Sequence, residues 1–140
     1  MTTVVDSNVL VALWDRNPEV SSATRAALDA ALDRGQLVTP APVFAELMAD
    51  RGRTEAFLDA FFRDTTIRVA WELDESIWRA AGRAFSRYAA RRRRRGGTGP
   101  RRVLADFLIG AYAAENRFTL LTLDYGLYRA GFPGLNIQRV

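Results

Sequence analysis

Thr2-Thr3-Val4-Val5-Asp6-Ser7-Asn8-Val9-Leu10-Val11-Ala12-Leu13-Trp14 decides how this chain folds. A β-branched run ends at three residues of the kind that cap helices, and an apolar stretch follows, so the segment predicts a strand, a turn and a short helix. The same alternation continues outward. Asn17-Pro18 predicts an N-cap and first helical position, Ala23, Ala27, Leu28, Ala31 and Leu32 follow at helical spacing, and Gly35 stops the helix. Leu37-Val38-Thr39 predicts a buried strand, and Pro42 opens a helix running to about Asp50. Thr54 to Phe62 predicts a helix and Thr66 to Val69 a strand. Asp74 caps a long helix with Ile77, Ala81, Phe85 and Tyr88 on its core face, ended by the loop Gly96 to Pro100. Val103 to Asn116 predicts a further helix, Thr119 to Thr122 a strand, and Leu135 to Gln138 a last short strand. Strands alternating with helices imply βαβ units and an α/β domain with a largely parallel sheet covered on both faces. At 140 residues the chain fits one domain, residues 1–140, able to bury roughly 70% of its unfolded surface.

Composition narrows the chemistry. The chain has no Cys, no His and no Lys, so its twenty basic side chains are all Arg. Disulfides, Cys/His zinc sites, Ser-His-Asp triads, thiol nucleophiles, Schiff-base lysines and the lysine of phosphate-binding loops are all excluded. Carboxylates, hydroxyls, arginine or a bound metal must do any chemistry. With 49% apolar residues, no long apolar run and no signal-peptide pattern at the start, a cytoplasmic protein is expected. The net charge of +4 hides a division: nine arginines and no acid lie between Arg83 and Arg102, while the remaining eleven arginines face sixteen acids. An acidic body with one basic segment suggests contact with a polyanion.

Four acids stand out by context. In a parallel sheet the ligand crevice lies beyond the carboxyl ends of the strands. Asp6 directly follows the first strand and Asp124 ends Leu120-Leu121-Thr122-Leu123; an N-cap and a turn aspartate are the plainer readings of the two. Glu46 lies in the apolar Pro42-Val43-Phe44-Ala45-Glu46-Leu47-Met48, where a solvent-facing glutamate is the alternative. Asp106 interrupts Val103-Leu104-Ala105-Asp106-Phe107-Leu108-Ile109-Gly110-Ala111. An i,i+4 pair with Arg102 would explain it only weakly, being worth a few tenths of a kcal/mol. Four carboxylates converging at one end of a sheet would repel one another unless protonated or bridged by a cation. Oxygen ligands without His or Cys favour Mg²⁺ or Mn²⁺, the equipment of metal-assisted phosphodiester hydrolysis.

Val4-Val5-Asp6-Ser7-Asn8-Val9-Leu10, Pro42-Val43-Phe44-Ala45-Glu46-Leu47, Leu104-Ala105-Asp106-Phe107-Leu108-Ile109-Gly110-Ala111 and Leu121-Thr122-Leu123-Asp124-Tyr125-Gly126, taken in order, resemble a PIN-domain protein, most closely the VapC-type toxin ribonucleases. The resemblance covers nearly the whole chain, and its specificity lies in the set. It implies a three-layer α/β/α sandwich with a small, mostly parallel sheet and an acidic pocket holding one or two Mg²⁺ or Mn²⁺ ions. By resemblance Asp6, Glu46, Asp106 and Asp124 are the metal-binding acids, with Asn8 and Thr122 orienting water, metal or substrate. The fourth acid is the family's least uniform position, and Asn8 stands where a hydroxyl residue is also common. Water attack on an RNA phosphodiester, a homodimer, and inhibition by a cognate antitoxin covering the site are also implied.

Arg79, Arg83, Arg87, Arg91 and Arg95 recur every four residues, a stripe drifting about 40° per step. Arg91, Arg92, Arg93, Arg94, Arg95, Arg101 and Arg102 are the candidate RNA-backbone contacts, since guanidinium forks match phosphate oxygens; a solvated helix end and an antitoxin-docking surface are the other uses. The aromatics, among them Trp14, Phe57, Trp71 and Trp78, fall mostly at core spacings and are expected to pack. A haloacid-dehalogenase-like phosphatase would need an acid where Asn8 stands, and a response-regulator receiver would need a Lys. A PIN-fold module that binds RNA or protein without cleaving, and a PIN nuclease of RNA processing, remain as rivals.

Overall fold

In the computed structural model, residues 1–97 and 104–140 are described. The five strands β1 (Thr2–Val5), β2 (Gln36–Pro40), β3 (Arg68–Ala70), β4 (Thr119–Thr122) and β5 (Ile137–Arg139) form one sheet in the order β3-β2-β1-β4-β5. Every pairing is parallel. The described helices are α1 (Ser7–Leu13), α2 (Pro18–Arg34), α3 (Ala41–Leu47), α4 (Glu55–Thr65), α5 (Glu75–Arg94), α6 (Leu104–Glu115) and α7 (Tyr125–Gly131). None is long and apolar enough to cross a membrane.

The strand order decides where a ligand belongs. The chain lays β1, β2 and β3 outward to one side, then returns to β4 and β5 on the other side of β1. The order therefore reverses between β1 and β4, and the crevice beyond their carboxyl ends is the switch point of the sheet. Asp6 follows β1 there, and its backbone N–H donates to the Leu121 carbonyl of β4 at 3.1 Å. From the other side the buried Thr39 hydroxyl of β2 donates to the Val5 carbonyl at 2.8 Å, so the end of β1 is fixed by both neighbours.

Burial follows the predicted pattern. Val4, Val5, Leu120 and Leu121 are fully buried in the two central strands. The stretch Phe107 to Ala113 of α6 is buried on all sides, which accounts for its uniformly apolar sequence. Gly110 makes this possible, because a Cβ there would lie 2.2 Å from the Phe132 ring. Gly35 serves a similar end: a Cβ would meet the Met1 carbonyl oxygen at 1.7 Å, where Gln36 N–H bonds that oxygen to start β2. Asn17 caps α2 by accepting from the Glu19 N–H at 3.0 Å, with Pro18 in the first turn. Thr54 caps α4 by accepting from the Phe57 N–H at 3.1 Å.

Four expectations are corrected. The predicted turn after Asp124 opens a helix, α7, that local sequence hid behind Gly126 and its short length. The Pro42 helix ends at Leu47, before Asp50, where Arg51 and Gly52 form a turn. The last strand begins at Ile137, because Leu135 is spent turning the chain through a bond from its N–H to the Phe132 carbonyl. Trp71 and Trp78 are not core residues, being 61% and 51% exposed, since each lies on the outward side of its segment. Val103, Arg101, Arg102 and the end of the glycine loop lie outside the described residues.

Candidate active site

Asp6 is the centre of the site. It occupies the N-cap position of α1, yet its side chain makes no cap hydrogen bond, so capping does not explain it. The carboxyl is 2% exposed and instead accepts from the Thr122 hydroxyl at 2.8 Å through Oδ2. Thr122 is the last residue of β4, and its hydroxyl oxygen in turn accepts from the Asp124 N–H at 2.9 Å and from Asn8 Nδ2 at 3.3 Å. Asn8 Oδ1 accepts from the Leu123 N–H at 3.1 Å. One threonine hydroxyl thus has its donor and both acceptor directions committed, and it ties the end of β4 to the turn after β1.

Glu46 comes in from α3. The Ser7 hydroxyl lies 3.2 Å from Glu46 Oε1 and 3.4 Å from Asp6 Oδ1, a bridge between the two acids. The solvent-facing alternative for Glu46 fails: burial and the negative charge of Asp106, partly countered by Ser7 and reinforced by Asp6, lift its pKa from 4.5 to about 7. Burial also raises the pKa of Asp6, against the lowering pull of the Thr122, Tyr128 and Ser7 groups that face it. Asp106, in the first turn of α6 and half-buried, therefore shares a field with Glu46 and Asp6 across the switch point.

Asp124 is half-buried at the N-cap of α7 and makes no cap hydrogen bond. It lies beside the cluster, held through its backbone by Thr122, while the carboxyls that perturb Glu46 are Asp106 and Asp6. Among the described residues, no group of three acidic side chains is arranged to hold an ion as it stands. The donor set suits a hard divalent cation nonetheless. Its oxygens are carboxylates whose mutual repulsion a cation would relieve, with no nitrogen or sulfur ligand in reach.

Two neighbours of Asp6 were not legible as site residues. Ser7 read only as a possible cap. Tyr128, on α7, is 1% exposed, and its hydroxyl lies against Asp6 without completing a hydrogen bond of good geometry.

The arginines divide. Arg79 is paired with Glu75 at 2.8 Å, and Arg87 donates to the Gly131 carbonyl at 3.3 Å. Arg91 to Arg95 sit at the end of α5, where Arg91 and Arg92 are half-buried and Arg93, Arg94 and Arg95 exposed. Phe85 and Tyr88 pack on Phe107 near the start of α6, with ring centroids 4.9 and 5.5 Å apart, whereas Ile77 shares a cleft with Tyr112 and Asn116 near its end. Helix α5 therefore runs antiparallel to α6, and its arginine end extends toward the end of α6 that carries Asp106.

The sequence matches the PIN-domain family over residues 3–133. No curated protein sequence matches the chain. By structure it is similar to VapBC2 from Rickettsia felis bound to a DNA fragment from its promoter, with a TM-score of 0.67 and 15% identity over 100% of this chain and 99% of that one. It is similar to VapBC-1 from nontypeable Haemophilus influenzae, with a TM-score of 0.63 and 16% identity over 99% of this chain and 98% of that one. FitAcB from Neisseria gonorrhoeae also has a TM-score of 0.63, with 19% identity over 96% of this chain and 95% of that one. At such identities these structures speak for the fold alone. The family match, which runs from β1 almost to β5 and spans the whole switch-point crevice, makes this chain a member of the PIN-domain family.

Proposed function

We propose that this chain is a divalent-metal-dependent endoribonuclease, the toxin of a toxin-antitoxin pair, with Asp6, Glu46, Asp106 and Asp124 as its metal-binding acids. The observation that carries the reading is the Ser7 bridge between Asp6 and Glu46, with Asp106 close enough to perturb Glu46, at the crevice where a parallel sheet binds its ligand. A bound Mg²⁺ or Mn²⁺ would supply a water of lowered pKa and charge to stabilise the phosphorane-like transition state. The chain's own groups do the rest. Thr122 and Ser7 orient Asp6, Asn8 fixes the loop that carries Asp124, and the low exposure of Asp6 keeps competing water from its inner oxygen.

RNA is the polyanion that best suits an acidic pocket with a basic helix end beside it. Arg91, Arg92, Arg93, Arg94 and Arg95, continued by Arg101 and Arg102, are assigned to its phosphates. The likeness to VapBC complexes, and to a toxin-antitoxin complex from Klebsiella pneumoniae, supports an antitoxin as protein partner. A homodimer is assigned on the same family resemblance.

The test is cleavage of structured and unstructured RNA in Mn²⁺, Mg²⁺ or EDTA by the wild type and by Asp6→Asn and Asp106→Asn, each checked for folding. Metal-dependent cleavage lost in both variants is the expected result. A non-catalytic module draws on the lack of a ready three-acid ligand group among the described residues; RNA binding without cleavage in any metal would select it.

A further inference from the structure

We propose that Tyr128 is a positioning residue for Asp6, holding the carboxylate from its buried side so that the outward side stays aimed at a divalent cation. The inference rests on the metal-dependent reading above. Among the described residues the Tyr128 hydroxyl is the one buried side-chain polar atom without a hydrogen-bond partner. A native interior rarely tolerates such an atom without a reason, and phenylalanine would fill the same space with no polar group to satisfy. The position supplies the reason. Tyr128 lies one helical turn after Asp124 on α7, on the buried face of that helix, and its hydroxyl lies against the Asp6 carboxyl.

The other donors to Asp6 leave room for it. Thr122 holds Oδ2 with a short bond of 2.8 Å, but Ser7 reaches Oδ1 only at 3.4 Å and shares its hydroxyl with Glu46. A bond from the phenol would fix the plane of the group. Partners of this kind set the orientation of metal-binding carboxylates and carry a tenfold to hundredfold share of metal affinity.

The experiment is a Mn²⁺ titration, read as free Mn²⁺ by electron paramagnetic resonance, of wild type, Tyr128→Phe and Asp6→Asn, with thermal melts in EDTA alongside. Tyr128→Phe is expected to melt no lower than wild type, because it removes an unpartnered hydroxyl, and to raise the Mn²⁺ dissociation constant about tenfold. Asp6→Asn is expected to lose binding. Unchanged Mn²⁺ affinity in Tyr128→Phe overturns the inference, as does a lowered melt with unchanged affinity, the mark of a purely structural tyrosine. Should Tyr128→Phe fail to fold, Tyr128→Leu repeats the titration with a second side chain that cannot donate. A wild type that binds no Mn²⁺ overturns the metal reading itself, which separates that failure from failure of the tyrosine's role.

Discussion

Thr122→Val is the sharpest perturbation the site offers, because valine keeps the shape of threonine and deletes only the hydroxyl that links three groups. The buried Asp6 carboxyl loses a donor at 2.8 Å, and the Asp124 N–H and Asn8 Nδ2 lose their acceptor. A hydrogen bond to a charged group contributes about 1.5–3 kcal/mol, and an N–H left without a partner adds to the loss, so about 3 kcal/mol is expected. With an unfolding entropy of about 2.1 cal/mol/K per residue, a 140-residue domain should melt roughly 10 °C lower. The loss depends on pH in a fixed direction. The Thr122 bond lowers the pKa of Asp6 against the upward push of burial, so its removal raises the folded-state pKa further. Stability tied to a raised carboxyl pKa is present at low pH and lost as pH rises through it. The gap between wild type and variant should therefore be smallest in acid and widen as pH rises. Thermal melts in EDTA across the pH range read this directly, with Thr122→Ser, which keeps the hydroxyl, as control. A gap of equal size at every pH, or a serine variant as damaged as the valine one, would refute the reasoning.

Three further outcomes are expected. In EDTA, the wild type should lose stability as pH rises from 4.5 to about 7, because folded Glu46 holds its proton over that window and the unfolded chain does not; Glu46→Gln should reduce that slope by its own share, on the order of 1–2 kcal/mol after allowing for partial exposure, leaving the part due to Asp6. Gly110→Ala should lower the melting temperature despite its better helix propensity, since the added Cβ overlaps the Phe132 ring, and Phe132→Leu in the same chain should recover part of the loss. Replacing Arg91 to Arg95 with Gln should weaken RNA binding and reduce the slope of log affinity against log salt by up to about 3.5 units, roughly 0.7 for each of five phosphate contacts on a single strand; an unchanged slope would remove the arginine track.

Local chemistry carried the fold as far as it did because each βα boundary is marked by a residue with one dominant use. Asn17 caps its helix through the bond its sequence predicts, Thr54 proves to be the cap of the helix expected to begin with it, and Gly35 stands where no side chain fits. The acids stood out by position, at a strand end or inside an apolar helix, but each of Asp6 and Asp124 had a plainer local reading that only the structure removes, since neither caps its helix through its side chain. What escaped depends on contacts distant in sequence. Helix α7 is short and contains Gly126, so packing against α5, α6 and β5 forms it rather than propensity. Tyr128 could not be placed beside Asp6 until that helix existed. Ser7 looks like any cap residue until Glu46 arrives from thirty-nine residues away. Trp78 sits at a spacing that suits a core, but spacing alone does not say which face of a helix meets the sheet, and Trp71 lies past the end of β3 in no helix at all.

The central claim is that Asp6, from the end of β1, and Asp106, from α6, act in one metal-dependent site. Cleavage rates for Asp6→Asn, Asp106→Asn and the double variant, in Mn²⁺ and at matched folding, test it most directly. Residues that act as one unit are not additive, so both single variants and the double are expected to fall to the same floor, the rate in EDTA. Losses that multiply in the double variant, or cleavage that survives either substitution, would contradict the account.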